Sequence, residues 1–258
     1  AYKKFPQYVQ PHVRAWDRHV ARSLHRANAI IVPSEHTRGD VAELFNIDAR
    51  KIHVVTLPPN PIFSPNGTGD EEVRARYGLN KPYILFVGTL EPRKNIPSLV
   101  RAYENFRKEN ADGPDIVLVG KEGWLAAETV SAIDSSPVRS SIKRLNYVSE
   151  SELASLYRGA MFFVYPSFYE GYGFPVLEAM ASGIPVISSA ISSIPELTGD
   201  SGLMIDPASV GELAAAMTAY YRDGGMRSRN ATRGLERVKQ ISAKNPAETV
   251  MNIYDSLG

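Results

Sequence analysis

The sequence of 258 residues contains no cysteine, which excludes disulfides, thiolate metal sites and a cysteine nucleophile together. That absence fits a reducing compartment, so a cytoplasmic location is expected. No run approaches the roughly 18 apolar residues of a membrane-spanning helix, and the opening Ala1-Tyr2-Lys3-Lys4 lacks the apolar core of a secretory signal. Charge of one sign is also missing. Lys plus Arg number 29 and Asp plus Glu 28, so no global field draws the chain to nucleic acid, and any anion site must be local. Histidine is confined to one end: His12, His19, His25, His36 and His53 all precede Pro58, and none has the spacing of metal ligands. Surface or helix-packing roles, and no metal, are expected of them. The chain has no internal repeat and no low-complexity tract.

What is present is a 43% hydrophobic composition, enough for one large or two modest cores. From Tyr83 onward, short apolar runs alternate with helical patterns: YILFVG (83–88), DIVLVG (115–120), RLNYV (144–148), MFFVYP (161–166) and PVISS (185–189). Runs that are continuously apolar rather than alternating read as buried parallel strands. Helices are expected over 97–109, from Phe174-Pro175 to Gly183, and over about 209–222 and 226–240. The pattern predicts a doubly wound α/β domain over 78–240. The first 60 residues hold a helix striped by Val9, Val13, Trp16, Val20 and Leu24, a helix at about 36–45 and strands at 29–34 and 51–57. Two strands and two helices make a poor core, so residues 1–60 are expected to be the end of a larger lobe. The Pro-, Gly- and Asn-rich string LPPNPIFSPNGTGD (57–70) marks a linker, set at 61–77, and 241–258 is expected to return as a helix toward the first lobe. With no initiating Met and a helical pattern from the outset, the chain is expected to be a fragment.

Two strings could carry chemistry. GTLEPRKN (Gly88–Asn95) leaves a strand, turns at Gly88 and places Arg93 and Lys94 just ahead of a helix N-terminus, which suits an anion, above all a diphosphate. An isolated Arg-Lys pair would be an ordinary solvated charge, but the carboxyl end of a strand is where open α/β sheets bind ligands. PSFYEGYGFPVLEAMASGIPV (166–186) spaces Glu170 and Glu178 eight apart, around Gly171, Gly173 and a helix-starting proline. The glycines let the backbone approach a ligand, and Glu178 can accept bonds from a vicinal diol such as a ribose. The plain alternative is a strand-to-helix turn with two solvated glutamates. The start of the chain is basic, with Lys3, Lys4, Arg14, Arg18, Arg22 and Arg26 against Asp17. A solvated helix face packed on the first lobe is the preferred reading, and peripheral contact with an anionic membrane surface the alternative.

These strings, with IIVPSEHTRGDV near the start and GLMIDP (202–207), closely resemble the large retaining glycosyltransferase family four, whose members have two Rossmann-like lobes. The resemblance runs from about Ala27 to Tyr254, and LEPRKN is most similar to the branch of bacterial mannosyltransferases that build lipopolysaccharide O-antigen and exopolysaccharide. It implies transfer of a hexosyl group, with mannose from GDP-mannose the preferred donor among nucleoside-diphosphate sugars, to a glycan or lipid-linked acceptor. Retained anomeric configuration, departure of the diphosphate from the front face and independence of metal are implied too. By position, Arg93 and Lys94 match the residues on the donor diphosphate, Glu170 the glutamate that meets the sugar hydroxyls, and Glu178 the one on the ribose. Gly88, Thr89, Gly171, Tyr172, Gly173, Phe174 and Leu177 complete the expected donor-binding set. Three departures stand out: Thr89 where many members carry arginine, PPNPIF (58–63) in place of the usual hinge, and SAKNPAE (242–248) where a Ser-Trp pair is common. A nucleotide-sugar-binding fragment without turnover, and a related two-lobed epimerase or phosphorylase, are the rival expectations. Alone, the chain is expected to bind nucleoside diphosphate and to transfer sugar poorly.

Overall fold

The computed structural model describes residues 3–8 and 17–258. Val9, Val13 and Trp16 of the expected stripe, and with them His12 and Arg14, lie outside the described residues. Helix α1 (Asp17–Arg26) carries the rest, with Leu24 against a small core and Arg18, Arg22 and Arg26 exposed. Strand β1 (Ile30–Val32), helix α2 (Glu35–Phe45) and strand β2 (Ile52–Val54) follow, the strands pairing in parallel as a two-stranded sheet. Its core is little more than Ile30, Val32, Ile47 and Ile52, too small to stand alone.

The segment expected to be a linker is shorter than 61–77. Asp70–Arg76 forms helix α3, with three acidic residues in its first turn and two arginines in its last, in keeping with the helix dipole. Arg158 grips both oxygens of Asp70 with Nε at 3.1 and 3.0 Å, and Phe63 is buried edge-on against Tyr157. The 57–69 stretch is thus pinned to the larger unit rather than hanging between lobes.

That unit contains β3 (Tyr83–Val87), α4 (Ile96–Glu109), β4 (Asp115–Val119), α5 (Ala127–Asp134), β5 (Ile142–Leu145), α6 (Glu150–Gly159), β6 (Phe162–Tyr165), α7 (Phe174–Ala181), β7 (Val186–Ser189), α8 (Ile194–Thr198), β8 (Leu203–Ile205), α9 (Val210–Arg222), α10 (Gly224–Ser242) and α11 (Pro246–Asp255). The six strands form one parallel sheet in the order β5-β4-β3-β6-β7-β8. The four central strands are buried along almost their whole length, which explains their mostly apolar sequences, broken only by Asp115, Ser188 and Ser189 at strand ends. The edges differ. Strand β5 begins at Ile142 and ends before the exposed Tyr147, so the expected 144–148 run is shifted; Lys143 and Arg144 are half-buried on it, where charge discourages further pairing. Strand β8, the opposite edge, is half-exposed and was not expected. Helix α6 starts at a capping box of Ser149 and Glu152, and Asn245 caps α11, so SAKNPAE supplies its own helix start.

Candidate active site

From β3 the chain winds outward through β4 to β5, and from β6 in the opposite direction through β7 to β8. Where winding reverses, the loops leaving β3 and β6 lie at the carboxyl ends of neighbouring strands, the place where open α/β sheets bind ligands. The two strings singled out from the sequence are these two loops.

They are bound to each other by buried polar contacts. Gly88 and Thr89 are half-buried at the end of β3, with Gly88 N–H on the Val119 carbonyl. After a single turn of 3₁₀ helix at Pro92–Lys94, Asn95 takes the left-handed conformation (φ 57°) and heads α4. The Asn95 amide, 2% exposed, donates to the carbonyls of Pro166 at 3.1 Å and Pro207 at 2.7 Å, while Phe168 N–H bonds to the Arg93 carbonyl at 2.9 Å. Loops from β3, β6 and β8 are thereby fixed as one body.

Inside it, Arg93, Lys94 and Glu170 converge. Lys94 Nζ lies 2.7 Å from Glu170 Oε1, Arg93 Nη1 lies 2.8 Å from the same oxygen, and the Tyr165 hydroxyl donates to it at 3.0 Å. Lys94 also bonds to Tyr165, and Arg93 reaches the buried Glu91 at 2.5 Å. Burial alone would raise the Glu170 carboxyl, but Lys94 and Arg93 outweigh it and hold the group below the ordinary glutamate value. For Lys94, burial pushes the ammonium down against the pull of Glu170; for Arg93, the two glutamates outweigh burial and raise the guanidinium. The cations are therefore not bare charges awaiting an anion. Each already faces a carboxylate.

Gly171 is half-buried and its carbonyl accepts the Ser34 and Thr37 hydroxyls. Gly173 heads α7 at φ 107°, and a Cβ there would come 2.5 Å from Ile194 Cδ1, so both the torsion and the space call for glycine. Val176 and Leu177 N–H both bond back to the Gly173 carbonyl and Pro175 has none, so of the first turn Phe174 N–H is left for an anion. Phe174 is exposed. Leu177, expected in the donor-binding set, is instead fully buried with Tyr172, Leu197 and Ile241, because it falls on the inner face of α7. Tyr172 is buried too, its hydroxyl tied to Leu57 at 2.6 Å. The Leu177 side chain is closed to a ligand, and that of Tyr172 only edges an apolar pocket shared with Phe174, so the expected donor contacts of 171–174 fall to their main-chain N–H groups.

Glu178 is half-buried and accepts a bond from Tyr157 OH at 3.0 Å; burial raises its carboxyl, with the Tyr157 bond opposing. The two glutamates are thus shifted in opposite directions, with opposite consequences for stability. Glu170, depressed, contributes stability that is complete above its unfolded value of 4.5 and lost as pH falls through its folded value. Glu178, raised, favours folding below 4.5 and loses that contribution as pH rises through its folded value. Denaturant unfolding of Glu170→Gln and Glu178→Gln between pH 3.5 and 7 is expected to change the wild-type slope in opposite senses, each by at most about 1.4 kcal/mol per pH unit. Changes of the same sign would show that one of the two environments is wrongly assigned.

The sequence did not single out Tyr165, Asn95 or Glu91. Tyr165 reads as one more apolar strand residue, and only its position at the carboxyl end of β6 hints that its hydroxyl is used. Asn95 offered a clearer signal, since asparagine tolerates the left-handed conformation that ends one helical turn, and the Pro that follows suits the first turn of the next helix. Among the described residues no group of His, Asp or Glu has an arrangement suited to a metal ion.

A doubly wound parallel sheet with a cation–carboxylate cluster at its switch point is a Rossmann-like α/β domain with its charged groups where such sheets bind ligands. The family described as glycosyl transferases group 1 matches residues 70–237, which takes in all of these groups, and the chain belongs to that family. It is 34% identical over 255 residues to the O-antigen chain mannosyltransferase B of Escherichia coli, covering 98% of this chain and 67% of that protein. With the serotype-specific mannosyltransferase WbdA of the same species it shares 28% over 224 residues, or 28% of the longer protein's length. Among solved structures, sucrose-phosphate synthase of Thermosynechococcus elongatus aligns at TM-score 0.74 and 25% identity over 92% of this chain and 60% of that one. HepE of Anabaena, in complex with UDP and glucose, aligns at TM-score 0.80 and 17% identity over 95% and 68%. The chain therefore spans about two thirds of O-antigen chain mannosyltransferase B and only part of the others.

Proposed function

We propose that the full-length protein transfers a mannosyl group from GDP-mannose, or another nucleoside-diphosphate sugar, to a glycan or lipid-linked acceptor of O-antigen type, with retention of anomeric configuration. The observation that carries this reading is the Arg93–Lys94–Glu170 cluster at the switch point, in a chain 34% identical to an O-antigen mannosyltransferase. HepE, similar in fold, holds UDP and glucose, which supports a nucleotide-sugar ligand.

On this reading the diphosphate enters beside Arg93, the more exposed of the two cations, and Phe174 N–H adds a donor at the head of α7. As the glycosidic bond to phosphate breaks, negative charge grows on the leaving oxygen. Lys94 and Arg93 then face more charge than in the ground state, and their attraction lowers the barrier. Glu170, kept ionised between them, accepts hydroxyls of the sugar, so donor position and leaving-group charge are set by one network. The positive charge comes from side chains, and the reading needs no metal. Glu178 takes the ribose diol. A cytoplasmic location completes the proposal, with the exposed basic face of α1 read as a solvated helix face and peripheral contact with an anionic membrane surface as the alternative.

Titration calorimetry with GDP, UDP and ADP tests the donor directly. GDP is expected to bind most tightly, and no measurable binding of any of the three would remove the reading. In the full-length protein, Glu178→Ala is expected to raise donor KM by about 10–150-fold, the loss of about 1.5–3 kcal/mol for a bond to a charged group, with kcat nearly unchanged. An equal fall in kcat at unchanged KM would place Glu178 at the reacting centre rather than on the ribose.

A further inference from the structure

We infer that helix α2 positions the donor site: Ser34, Thr37 and Asp40 hold the two residues flanking Glu170 and through them set the placement of Glu170 and Arg93. This rests on the donor-site reading above and adds residues from outside the sheet that builds the site.

On one side of Glu170, the Gly171 carbonyl oxygen receives Ser34 Oγ at 2.8 Å and Thr37 Oγ1 at 2.9 Å. On the other, the Tyr169 hydroxyl donates to Asp40 Oδ2 at 2.6 Å, while the Tyr169 carbonyl accepts from Arg93 Nη1 at 2.6 Å. Asp40 and Tyr169 are both 7% exposed, and Lys4 Nζ, 2.5 Å from Asp40 Oδ1, supplies the countercharge that a buried carboxylate needs. A carbonyl that meets two hydroxyls cannot rotate without losing one of them. The peptide after Glu170 is fixed from one side, and the tyrosine before it from both its hydroxyl and its carbonyl.

The helix that does this is itself docked. Its first N–H groups, of Glu35 and His36, bond to the Glu196 carboxylate of α8 at 2.8 and 2.6 Å, and Arg237 holds the Glu196 carbonyl at 2.6 Å. Glu196 thus serves as a cap supplied by the larger unit. Surface packing alone would not call for a buried carboxylate and two hydroxyls aimed at the residues next to Glu170. These contacts make Ser34, Thr37 and Asp40 positioning residues, and a helix of the N-terminal unit a support of the site's geometry.

The test measures kcat, donor KM and Tm in the full-length protein for Tyr169→Phe, Asp40→Ala, their double variant, Thr37→Val and Thr37→Ser, with Lys94→Ala as reference. Tyr169→Phe and Asp40→Ala are each expected to lower kcat by about 10-fold or more, since small misplacement of reacting groups is costly. The double variant should be no worse than the poorer single, because both remove the same bond. Thr37→Val should lose turnover, and Thr37→Ser, which keeps the hydroxyl, should restore it. Wild-type kcat in Tyr169→Phe and Thr37→Val, with or without a lower Tm, would overturn the inference, as would losses that multiply in the double variant. If Asp40→Ala does not fold, Tyr169→Phe and the Thr37 pair decide the matter. Inactive Lys94→Ala beside fully active Tyr169→Phe removes this inference and leaves the function standing. Wild-type kinetics in Lys94→Ala removes the function, and the inference with it.

Discussion

Replacing Lys94 by alanine in the full-length protein is expected to lower kcat by about 10²–10³-fold, the loss of about 2.7–4 kcal/mol of transition-state stabilisation typical of one preorganised donor. The burial of Lys94, 7% exposed, already separates it from an ordinary surface lysine, whose loss would leave kinetics unchanged. Its bond to Glu170 adds a second effect. Breaking a buried ion pair by removing one partner destabilises a protein by about 3–5 kcal/mol when the remaining charge is stranded. Here Arg93 and Tyr165 stay on the same oxygen, so the structural loss should be smaller than the catalytic one. Glu170 then loses its largest depressing neighbour, and burial, which already pushes the carboxyl upward, is opposed chiefly by Arg93. The acid limb of the pH–rate profile should therefore move to higher pH in this variant. Lys94→Met, which keeps the aliphatic stem, separates charge from packing: it should lose as much turnover as Lys94→Ala at smaller cost in Tm. Wild-type kcat and donor KM in Lys94→Ala would mean that the cluster is a structural ion pair, and the diphosphate assignment would fall.

What the sequence made legible follows burial and chain distance. Strands β3, β4, β6 and β7 are mostly apolar, with only Asp115 at the start of β4 and the buried Ser188 and Ser189 at the end of β7 polar, because both faces are covered, and they stand out against the helices. At the sheet edges that signal fades. Lys143 and Arg144 interrupt β5 and pull the expected strand toward Tyr147, while the half-exposed β8 is three residues long. Arg93, Lys94 and Glu170 could be tied to one another because each sits in a loop at the carboxyl end of a predicted parallel strand. Their pairing could not be read: the two cations expected on a diphosphate also face Glu91 and Glu170. Leu177 shows a different limit: adjacent residues on a helix face different directions, so a ligand contact by Glu178 argued against the same role for its neighbour. The Ser34, Thr37 and Asp40 contacts join residues more than 120 positions apart, and no local pattern marks them.

Gly120→Ala is expected to cost both stability and turnover, although residue 120 touches none of the charged groups. Gly120 ends β4 at φ 148°, and a Cβ built on it would lie 2.1 Å from the Gly88 carbonyl oxygen and 2.7 Å from its carbon. No flexible side chain stands in the way that could swing aside. The obstacle is backbone, and that backbone is the turn by which the chain leaves β3 toward Arg93 and Lys94. Relief requires either that β4 part from β3, which breaks the bond from Gly88 N–H to Val119, or that the 88–90 turn shift outward. Overpacking of this kind costs about 1–3 kcal/mol, and a non-glycine residue at a sparsely populated backbone torsion adds about 1–3 kcal/mol more. For a protein of this size that corresponds to a Tm lower by very roughly 5–15 °C. Turnover should fall further than stability explains, because a shift of about 1 Å in the turn displaces both cations from the leaving group and can cost about 100-fold. Gly88→Ala provides the contrast: at φ 157° it shares the torsional strain, but its Cβ would meet only Phe86 and Lys94 side-chain atoms at 3.4 and 3.5 Å, ordinary van der Waals contact, so its thermal cost should be the smaller of the two. Thermal unfolding and initial rates of the two variants, side by side, provide the check. Wild-type Tm and kcat in Gly120→Ala would show that the β3 turn has room to move without disturbing the site, and that the placement of Arg93 and Lys94 does not depend on the close approach of these two strand ends.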